Sequence, residues 1–277
     1  MANCFRSNCG MFASLFLALA SASCSAESRE SHHGKTLIFD GTITEENVSN
    51  AINVINGPDK ISRIKIRSGG GWPEPGAKLA AVIQARNIAV EVDDFCLSAC
   101  MPFVFLASQS RTVENGALLG FHYADSYDVA YLSPRFGLES LTIQSRADKA
   151  IRDVYKSAGI SDDMLIHQGV MLDPLCWSEM RKNKDLKSVV YKYGVWLPTS
   201  ENLRSWNIEF SGSLMADSLP EGAQDEGGLS LISAKMGSIK PNDLPPMIVG
   251  GPNRFETKPK LKELDHCSKG AVDIIRH

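Results

Sequence analysis

The sequence predicts an α/β fold with a mostly parallel sheet, followed by an irregular C-terminal extension. Three observations lead to this prediction. Strand-like apolar runs alternate with helical patterns of about ten residues, as in chains built from βαβ crossover units. The chain has 277 residues, of which 43% are hydrophobic, and this is enough for one sizeable core with extra segments. After about residue 210 the chain becomes rich in Gly, Pro, Asp and Ser and loses its periodicity.

Turn residues bound the first predicted elements. Residues 35–44 contain a β-rich apolar run that ends at Asp-Gly, a turn signal, so we expect a strand there. Residues 45–57 carry apolar side chains at helical spacing and stop at Gly-Pro. Isoleucines alternate through 61–68, which predicts a second strand. The Gly- and Pro-rich segment 69–76 is then a loop, and 77–87 has a helical pattern.

The middle of the chain continues the alternation. Residues 88–94 predict a strand, and 116–124 form another apolar, strand-like run. Between them, residues 98–108 are apolar and compatible with a helix. Pro102 is tolerable in that helix only within its first turn, because proline lacks an amide hydrogen.

The later elements are mostly helical. Residues 139–159 form the longest helical pattern of the chain, and a second helix is predicted near 162–171. Residues 193–208 predict a strand, a turn and a short helix, with "TSEN" as a capping sequence. Residues 211–277 show no sustained periodicity, so they are expected to form a partly disordered extension.

The N-terminus has the layout of a secretory signal peptide. Residues 1–26 contain a short polar start, the apolar run "MFASLFLALASA" and a small-residue stretch before charged residues. Cleavage after Ala22 or Ala26 fits the small-x-small rule, whereas a lipoprotein site at Cys24 fits less well because Ser21 stands where Leu is preferred. We therefore expect a periplasmic or secreted protein.

Export changes how the cysteines are interpreted. After cleavage at Ala26 four remain in the exported chain, namely Cys96, Cys100, Cys176 and Cys267. In an oxidising compartment they are candidates for two disulfides, and three pairings stay open. The alternative is a zinc site, which is disfavoured because Cys96 and Cys100 lack a second close pair of ligands. The sequence predicts no metal and no cofactor. A net charge of -3 and a pI of about 6.1 argue against a nucleic-acid partner.

Two loops follow successive predicted strands and carry candidate chemistry. In a parallel sheet both leave from the same edge, where ligand sites of α/β folds form. Gly69, Gly70 and Gly71 offer unhindered backbone amides in the first loop. The second loop places Ser98 at the start of the predicted helix, and His122 lies 24 residues further along the chain. This combination suits acyl transfer, although Ser98 also fits a simple helix cap and His122 a structural histidine.

The order of these segments resembles the proteolytic subunit of the Clp protease, within the ClpP/crotonase-like superfamily. The similar stretches are "TLIFDGTITEENVSNAINVI", "IKIRSGGG", "CLSACMPFVFLASQSR", "ALLGFHYA" and "WLPTSENLRSWNI". They cover roughly residues 35–208. The resemblance implies a core of repeated ββα units arranged as a spiral, and a peptide or protein substrate. It also suggests self-association into a homo-oligomer through 139–159.

The resemblance also implies residue roles. Ser98 takes the place of the nucleophile and His122 that of the general base, while the amides of Gly71 and Ala99 would form the oxyanion hole, with Gly69 and Gly70 supporting the loop. The family's third triad residue, an Asp, falls on Gly194 here.

Two departures from the family matter for function. No carboxylate is near Gly194 in the sequence, and Asp173 and Asp185 lie at gaps that do not match. A backbone carbonyl, Tyr193 or another group would then have to orient the histidine. An exported chain also has no ATP, so no ATP-driven unfoldase is expected. The sequence thus predicts an exported serine hydrolase, with a catalytically silent binding protein as the alternative. An acyl-thioester enzyme is a third reading, disfavoured because coenzyme A is intracellular.

Overall fold

The fold is taken from a computed structural model that describes residues 34–122, 142–180, 183–224, 226–237, 239–254 and 265–267. The predicted signal peptide, residues 1–26, lies outside the described residues. No helix in the described ranges is both long and apolar enough to cross a membrane.

A five-stranded parallel sheet forms the centre of the fold. Its strands are β1 (Lys35–Asp40), β2 (Ile61–Ser68), β3 (Ala89–Leu97), β4 (Arg111–Val113) and β5 (Leu118–Gly120). The order is β1-β2-β3-β4, and β5 pairs with the later part of β3. Every pairing in this sheet is parallel, which confirms the predicted fold class.

The two faces of the sheet differ, because side chains alternate along each strand. The inner face of β2 carries Ile64 and Ile66, both fully buried. The outer face of the same strand carries Arg63, Lys65 and Arg67, which form ion pairs with carboxylates of neighbouring strands and loops. The isoleucine alternation of the sequence therefore marks the face that packs against helices.

Five helices form where helices were predicted, but the second begins at Pro73, so residues 73–76 of the predicted loop 69–76 are helical. They are α1 (Glu45–Asn56), α2 (Pro73–Arg86), α3 (Thr142–Ala158), α4 (Asp163–Met171) and α5 (Ser200–Ser205). Residues 139–141 of the predicted helix 139–159 lie outside the described residues.

Capping residues explain where two of these helices start. The Thr44 hydroxyl accepts the amide hydrogen of Asn47 at 3.2 Å at the start of α1. Thr199 and Asn202 form a reciprocal capping box at the start of α5, as "TSEN" predicted.

The apolar segment 98–108 is helical over a shorter stretch than expected. It forms a single π-helical turn at Met101–Phe105, in which the Leu106 amide donates to the Met101 carbonyl at 3.0 Å. Pro102 has no amide hydrogen to offer to the preceding turn, and this favours an irregular hydrogen-bond pattern here.

Several elements were not predicted from the sequence. They include β4, the antiparallel hairpin of β6 (Pro174–Met180) and β7 (Asn183–Tyr191), and the strands β9 (Gly222–Ala223) and β10 (Met247–Val249). Together with the predicted β8 (Val195–Leu197), β9 and β10 form a small sheet of order β8-β10-β9.

The segment after residue 210 contributes to the core in its described part. It contains α6 (Glu226–Lys235) as well as β9 and β10. Buried side chains from this segment join the same apolar cluster as the central sheet, including Leu214, Ile232, Met247 and Val249. The sequence showed no periodicity here because these elements are short and each buries only a few side chains. The boundaries predicted for the two regions, 35–208 and 211–277, stay predictions.

Candidate active site

The end of β3 places Ser98 in a sharp turn. The Ser98 amide donates to the carbonyl of Gly120, the last residue of β5, at 3.0 Å. Ser98 has a φ of 53°, in the left-handed region that residues other than glycine rarely adopt. The conformation costs an L-residue roughly 1–2 kcal/mol, so neighbouring contacts must hold it.

A disulfide and a backbone hydrogen bond hold this turn. Cys96 and Cys100 are both fully buried and form a disulfide that spans Ser98. On the far side of the turn, the Met101 amide donates to the Ser98 carbonyl at 3.0 Å. A strained serine between a strand and a helical turn, held on both sides, is a common way to present a nucleophile.

The glycine loop touches this turn directly at Gly70. A Cβ atom added to Gly70 would lie 2.6 Å from the Ser98 Cβ, 2.8 Å from the Leu97 carbonyl oxygen and 3.0 Å from the Ala99 nitrogen. Gly70 also has a φ of 101°. Any larger residue would push the two loops apart, whereas a Cβ at Gly69 would have no atom within 4 Å.

The amide of Ala99 at this contact and the amide of Gly71, next to Gly70, donate no hydrogen bond within the described residues. Ile43 forms an isolated parallel bridge with Gly71. The Ile43 amide donates to the Gly70 carbonyl at 2.8 Å, and the Ile43 carbonyl accepts from the Trp72 amide at 2.9 Å. The Gly71 amide therefore takes no part in this bridge. Two such amides beside a serine could hold a developing oxyanion.

His122 follows the strand that pairs with the Ser98 turn. Phe121 exchanges two backbone hydrogen bonds with Trp196, at 2.9 and 2.8 Å, and stacks on its ring. His122 directly follows Phe121. It lies two residues after Gly120, whose carbonyl accepts the hydrogen bond from the Ser98 amide. The Ser98 hydroxyl makes no hydrogen bond within the described residues, so it is not hydrogen-bonded to His122 in this conformation. Catalytic hydrogen bonds are often long in ligand-free structures.

The environment of His122 favours the neutral imidazole. Desolvation by the surrounding chain lowers the pKa of His122 below 6.5, because it disfavours the charged form. The residue as a whole is nevertheless exposed to solvent. A neutral imidazole at pH 7 that solvent can reach is suited to accept a proton.

Gly194, where the third triad residue was expected, has no room for a larger side chain. The Gly194 amide donates to the Pro246 carbonyl at 2.7 Å, and a Cβ added to Gly194 would lie 2.5 Å from the Pro245 Cβ. Asp173 is exposed and pairs with Lys192 at 3.7 Å. The side chain of Asp185 lies outside the described residues.

Trp72 is a feature of this region that sequence reasoning missed. It follows Gly71 directly, and 69% of the residue is exposed, more than for any other large hydrophobic residue among those described. A tryptophan inside a Gly- and Pro-rich loop, next to candidate oxyanion amides, was the signal that could have identified it.

The other predicted site residues were the cysteines. Cys176 and Cys267 form the second disulfide, which links β6 to the described C-terminal residues across 91 positions. Of the three pairings that the sequence left open, the structure has Cys96–Cys100 with Cys176–Cys267. Within the described ranges, no group of three His, Cys, Asp or Glu side chains is arranged to hold a metal ion.

Comparison with known proteins gives similarities among solved structures only. No protein-family model matches the chain, and no curated protein matches it. A ClpP1 point mutant from Listeria monocytogenes is similar at 19% identity and a TM-score of 0.33, over 48% of this chain and 77% of that one. The ClpP protease catalytic domain from Plasmodium falciparum is similar at 11% identity and a TM-score of 0.36, over 67% of this chain and 87% of that one. These similarities concern the fold, and the residue roles proposed below rest on the geometry of this chain.

Proposed function

We propose that this chain is an exported Clp-like serine hydrolase, acting on peptide or protein substrates through an acyl-enzyme at Ser98. One observation carries the proposal. Ser98 is held in a left-handed turn at a strand end, and the unused amides of Gly71 and Ala99 lie on the two loops that meet there. A structural helix cap would not need two unused amides beside it.

The reaction would follow the serine-hydrolase scheme. The Ser98 oxygen attacks the substrate carbonyl carbon while His122 accepts the hydroxyl proton, and the amides of Gly71 and Ala99 hold the oxyanion. His122 then gives the proton to the leaving amine, and the C–N bond breaks to leave an ester on Ser98. Water, deprotonated by His122, attacks the ester and releases the acid, which restores the serine hydroxyl.

The closed position at Gly194 makes slow turnover the expectation. Replacing the orienting Asp of a serine protease lowers kcat by about four orders of magnitude, because the histidine adopts the wrong tautomer. A Ser–His pair without this carboxylate can still acylate, with the oxyanion hole contributing most of the rate enhancement.

Export is supported by the disulfides together with the N-terminal sequence. Structural disulfides persist in oxidising compartments and are rare in the cytosol. The two pairs in this chain, one of them buried beside Ser98, fit a periplasmic or secreted location. An ATP-driven unfoldase partner is not expected there.

A fluorophosphonate probe tests the proposal, because it reacts with an activated serine independently of the natural substrate. The wild-type chain should label, and Ser98→Ala should not. Ser110→Ala, at an exposed serine, is the matched control and should label like wild type. A folded wild-type chain that does not label over hours at high probe concentration would contradict the proposal.

A catalytically silent binding protein is the second candidate. It is favoured by the closed Gly194 position and by the lack of a hydrogen bond between Ser98 and His122 among the described residues. In that case the glycine loop would bind a peptide without cleaving it. Equal peptide affinity in wild type and Ser98→Ala, with no labelling of either, would support this function over hydrolysis.

A further inference from the structure

Within the part of the chain that the structure describes, the first strand of the sheet has one unpaired edge. Among the described residues, β1 pairs with β2 alone, and it stands at the end of the strand order. Four of its six residues are exposed, namely Lys35, Thr36, Ile38 and Asp40. An exposed strand edge offers a row of unpaired amides and carbonyls, and proteins usually cover such an edge or protect it.

Exposed apolar side chains lie on both sides of this edge. Ile38 is 64% exposed on the outer face of the sheet, and Val54 of α1 is 48% exposed on the helix side. An open groove of about 190 Å³ lies between β1 and α1, lined by Leu37, Phe39, Ala51 and Val54 among others. Two of the five large hydrophobic residues that are exposed in the described chain are therefore beside one strand.

The usual protective features are few on β1. It contains no proline, and its one lysine, Lys35, stands at the very start of the strand and pairs with Asp59 at 2.8 Å. The central residues Leu37, Ile38 and Phe39 are all apolar. This edge is thus suited to pair with another strand rather than to repel one.

The β1 sequence, "KTLIFD", complements itself when two copies run antiparallel. With Ile38 opposite Ile38, a two-fold axis perpendicular to the sheet keeps the outer faces of both copies on the same side. Thr36 of each copy then stands opposite Asp40 of the other, on the outer face. If the pairing were shifted by one residue, outer-face side chains of one copy would stand opposite inner-face side chains of the other.

The polar groups on the outer face agree with this register. The Asp40 carboxylate is bound by Arg67, but its side chain is still 52% exposed, so it can also accept from the Thr36 hydroxyl of a second copy. Arg67 holds the pKa of Asp40 below its usual value, so the carboxylate is ionised at neutral pH.

We propose that two copies of this chain associate through β1, antiparallel and centred on Ile38. The two central sheets then become one continuous sheet, and α1 of each copy faces the other beside the groove. The proposal does not depend on hydrolysis at Ser98. Since one strand and one helix face make a small interface, we expect a dimer that dissociates on dilution.

Analytical ultracentrifugation of the full chain measures the association. The dimer fraction should rise with concentration, and Ile38→Lys should weaken dimerisation by at least about tenfold, because it places two like charges opposite each other. Leu231→Lys is the matched control, at a leucine that is 55% exposed on α6, and should leave the dimer unchanged. Ile38 is exposed, so the substitution should not prevent folding, and thermal melts of both variants check this.

Cysteine cross-linking tests the register. Ile38→Cys should form a disulfide-linked dimer, since opposite Cα atoms of an antiparallel pair are about 4.5–5.5 Å apart. Thr36→Cys is the control, because its two copies would be about 14 Å apart, beyond disulfide reach. The unsubstituted chain controls for its own cysteines. The proposal is overturned if the chain stays monomeric at all concentrations, or if the dimer is insensitive to Ile38→Lys. Equal cross-linking at both positions would also overturn it. So would the binding of an extended peptide by a strictly monomeric chain.

Discussion

Substituting Gly70 by Ala probes the contact on which the candidate site depends. The new Cβ would lie 2.6 Å from the Ser98 Cβ and 2.8 and 3.0 Å from backbone atoms of Leu97 and Ala99. Real Cβ atoms essentially never approach others so closely, and backbone atoms cannot rotate away. Either the glycine loop or the serine turn must therefore move.

The structure allows the strain and the collision to be estimated separately. Gly116 has a φ of 76° and open space around its Cα, so Gly116→Ala should cost only the left-handed strain, roughly 1–2 kcal/mol. Gly69→Ala has neither strain nor collision and should be near neutral. Gly70→Ala has both, and overpacking adds about 1–3 kcal/mol. We expect it to lose about 2–5 kcal/mol of unfolding free energy in total.

Activity should respond more sharply than stability. A displacement of about 1 Å in a catalytic group can lower a rate about a hundredfold. Fluorophosphonate labelling rates would be measured for the three variants at a temperature where urea unfolding shows all of them folded. Gly70→Ala should label at least about a hundredfold more slowly, with Gly116→Ala and Gly69→Ala close to wild type. If Gly70→Ala labels as fast as Gly69→Ala, the contact between the loops does not position Ser98 and the reasoning is wrong.

Three further predictions concern charge and burial. Desolvation lowers the pKa of His122, so the fluorophosphonate labelling rate should fall at acid pH with a midpoint below pH 6.5. A midpoint above pH 6.5 in a plot of labelling rate against pH would contradict this. Burial lowers the pKa of His167 to about 4, so only the unfolded chain binds the proton between pH 6.5 and 4. Stability should therefore fall by up to about 3 kcal/mol as the pH drops through that window, and urea unfolding of His167→Phe should show a flatter dependence. The buried Arg111 guanidinium donates to the carbonyls of Phe105 and Leu106, each at 3.1 Å, at the end of the π-helical turn. Arg111→Met should lower the unfolding free energy by about 2–4 kcal/mol, since it leaves both carbonyls unsatisfied, and a urea midpoint equal to wild type would refute this.

The elements with strong local signals could be predicted from the sequence. The strand 61–68 was found with its observed bounds because its buried isoleucines alternate with charged side chains of the opposite face. Helix α1 was found because its buried residues Val48, Ala51 and Ile55 repeat at helical spacing after a capping threonine. Periodicity and capping depend on neighbours within about four residues, which the sequence shows directly.

Elements that depend on distant partners were missed. Strand β4 has three residues, too few for a visible alternation, and it exists because its backbone pairs with β3. Strand β10 is equally short and forms by pairing with β8, about fifty residues earlier in the chain. The hydrogen bonds that stabilise such strands join residues whose proximity is not visible locally.

The candidate site shows the same division. The sequence singled out Ser98, His122 and the glycine loop, because small residues at strand ends and a histidine on an apolar run are local patterns. It did not show that Gly70 rather than Gly69 touches the Ser98 turn, nor that Ser98 is left-handed.

The sequence by itself determined the alternation of strands and helices, the parallel sheet and the residues able to carry acyl-transfer chemistry. The tertiary structure alone decided which cysteines pair and that proline packing closes the Gly194 position. It also decided that the amides of Gly71 and Ala99 donate no hydrogen bond among the described residues. The physical reason is that periodicity is a property of neighbouring residues, whereas a contact at 2.6 Å or an unused amide depends on where separate segments meet in space.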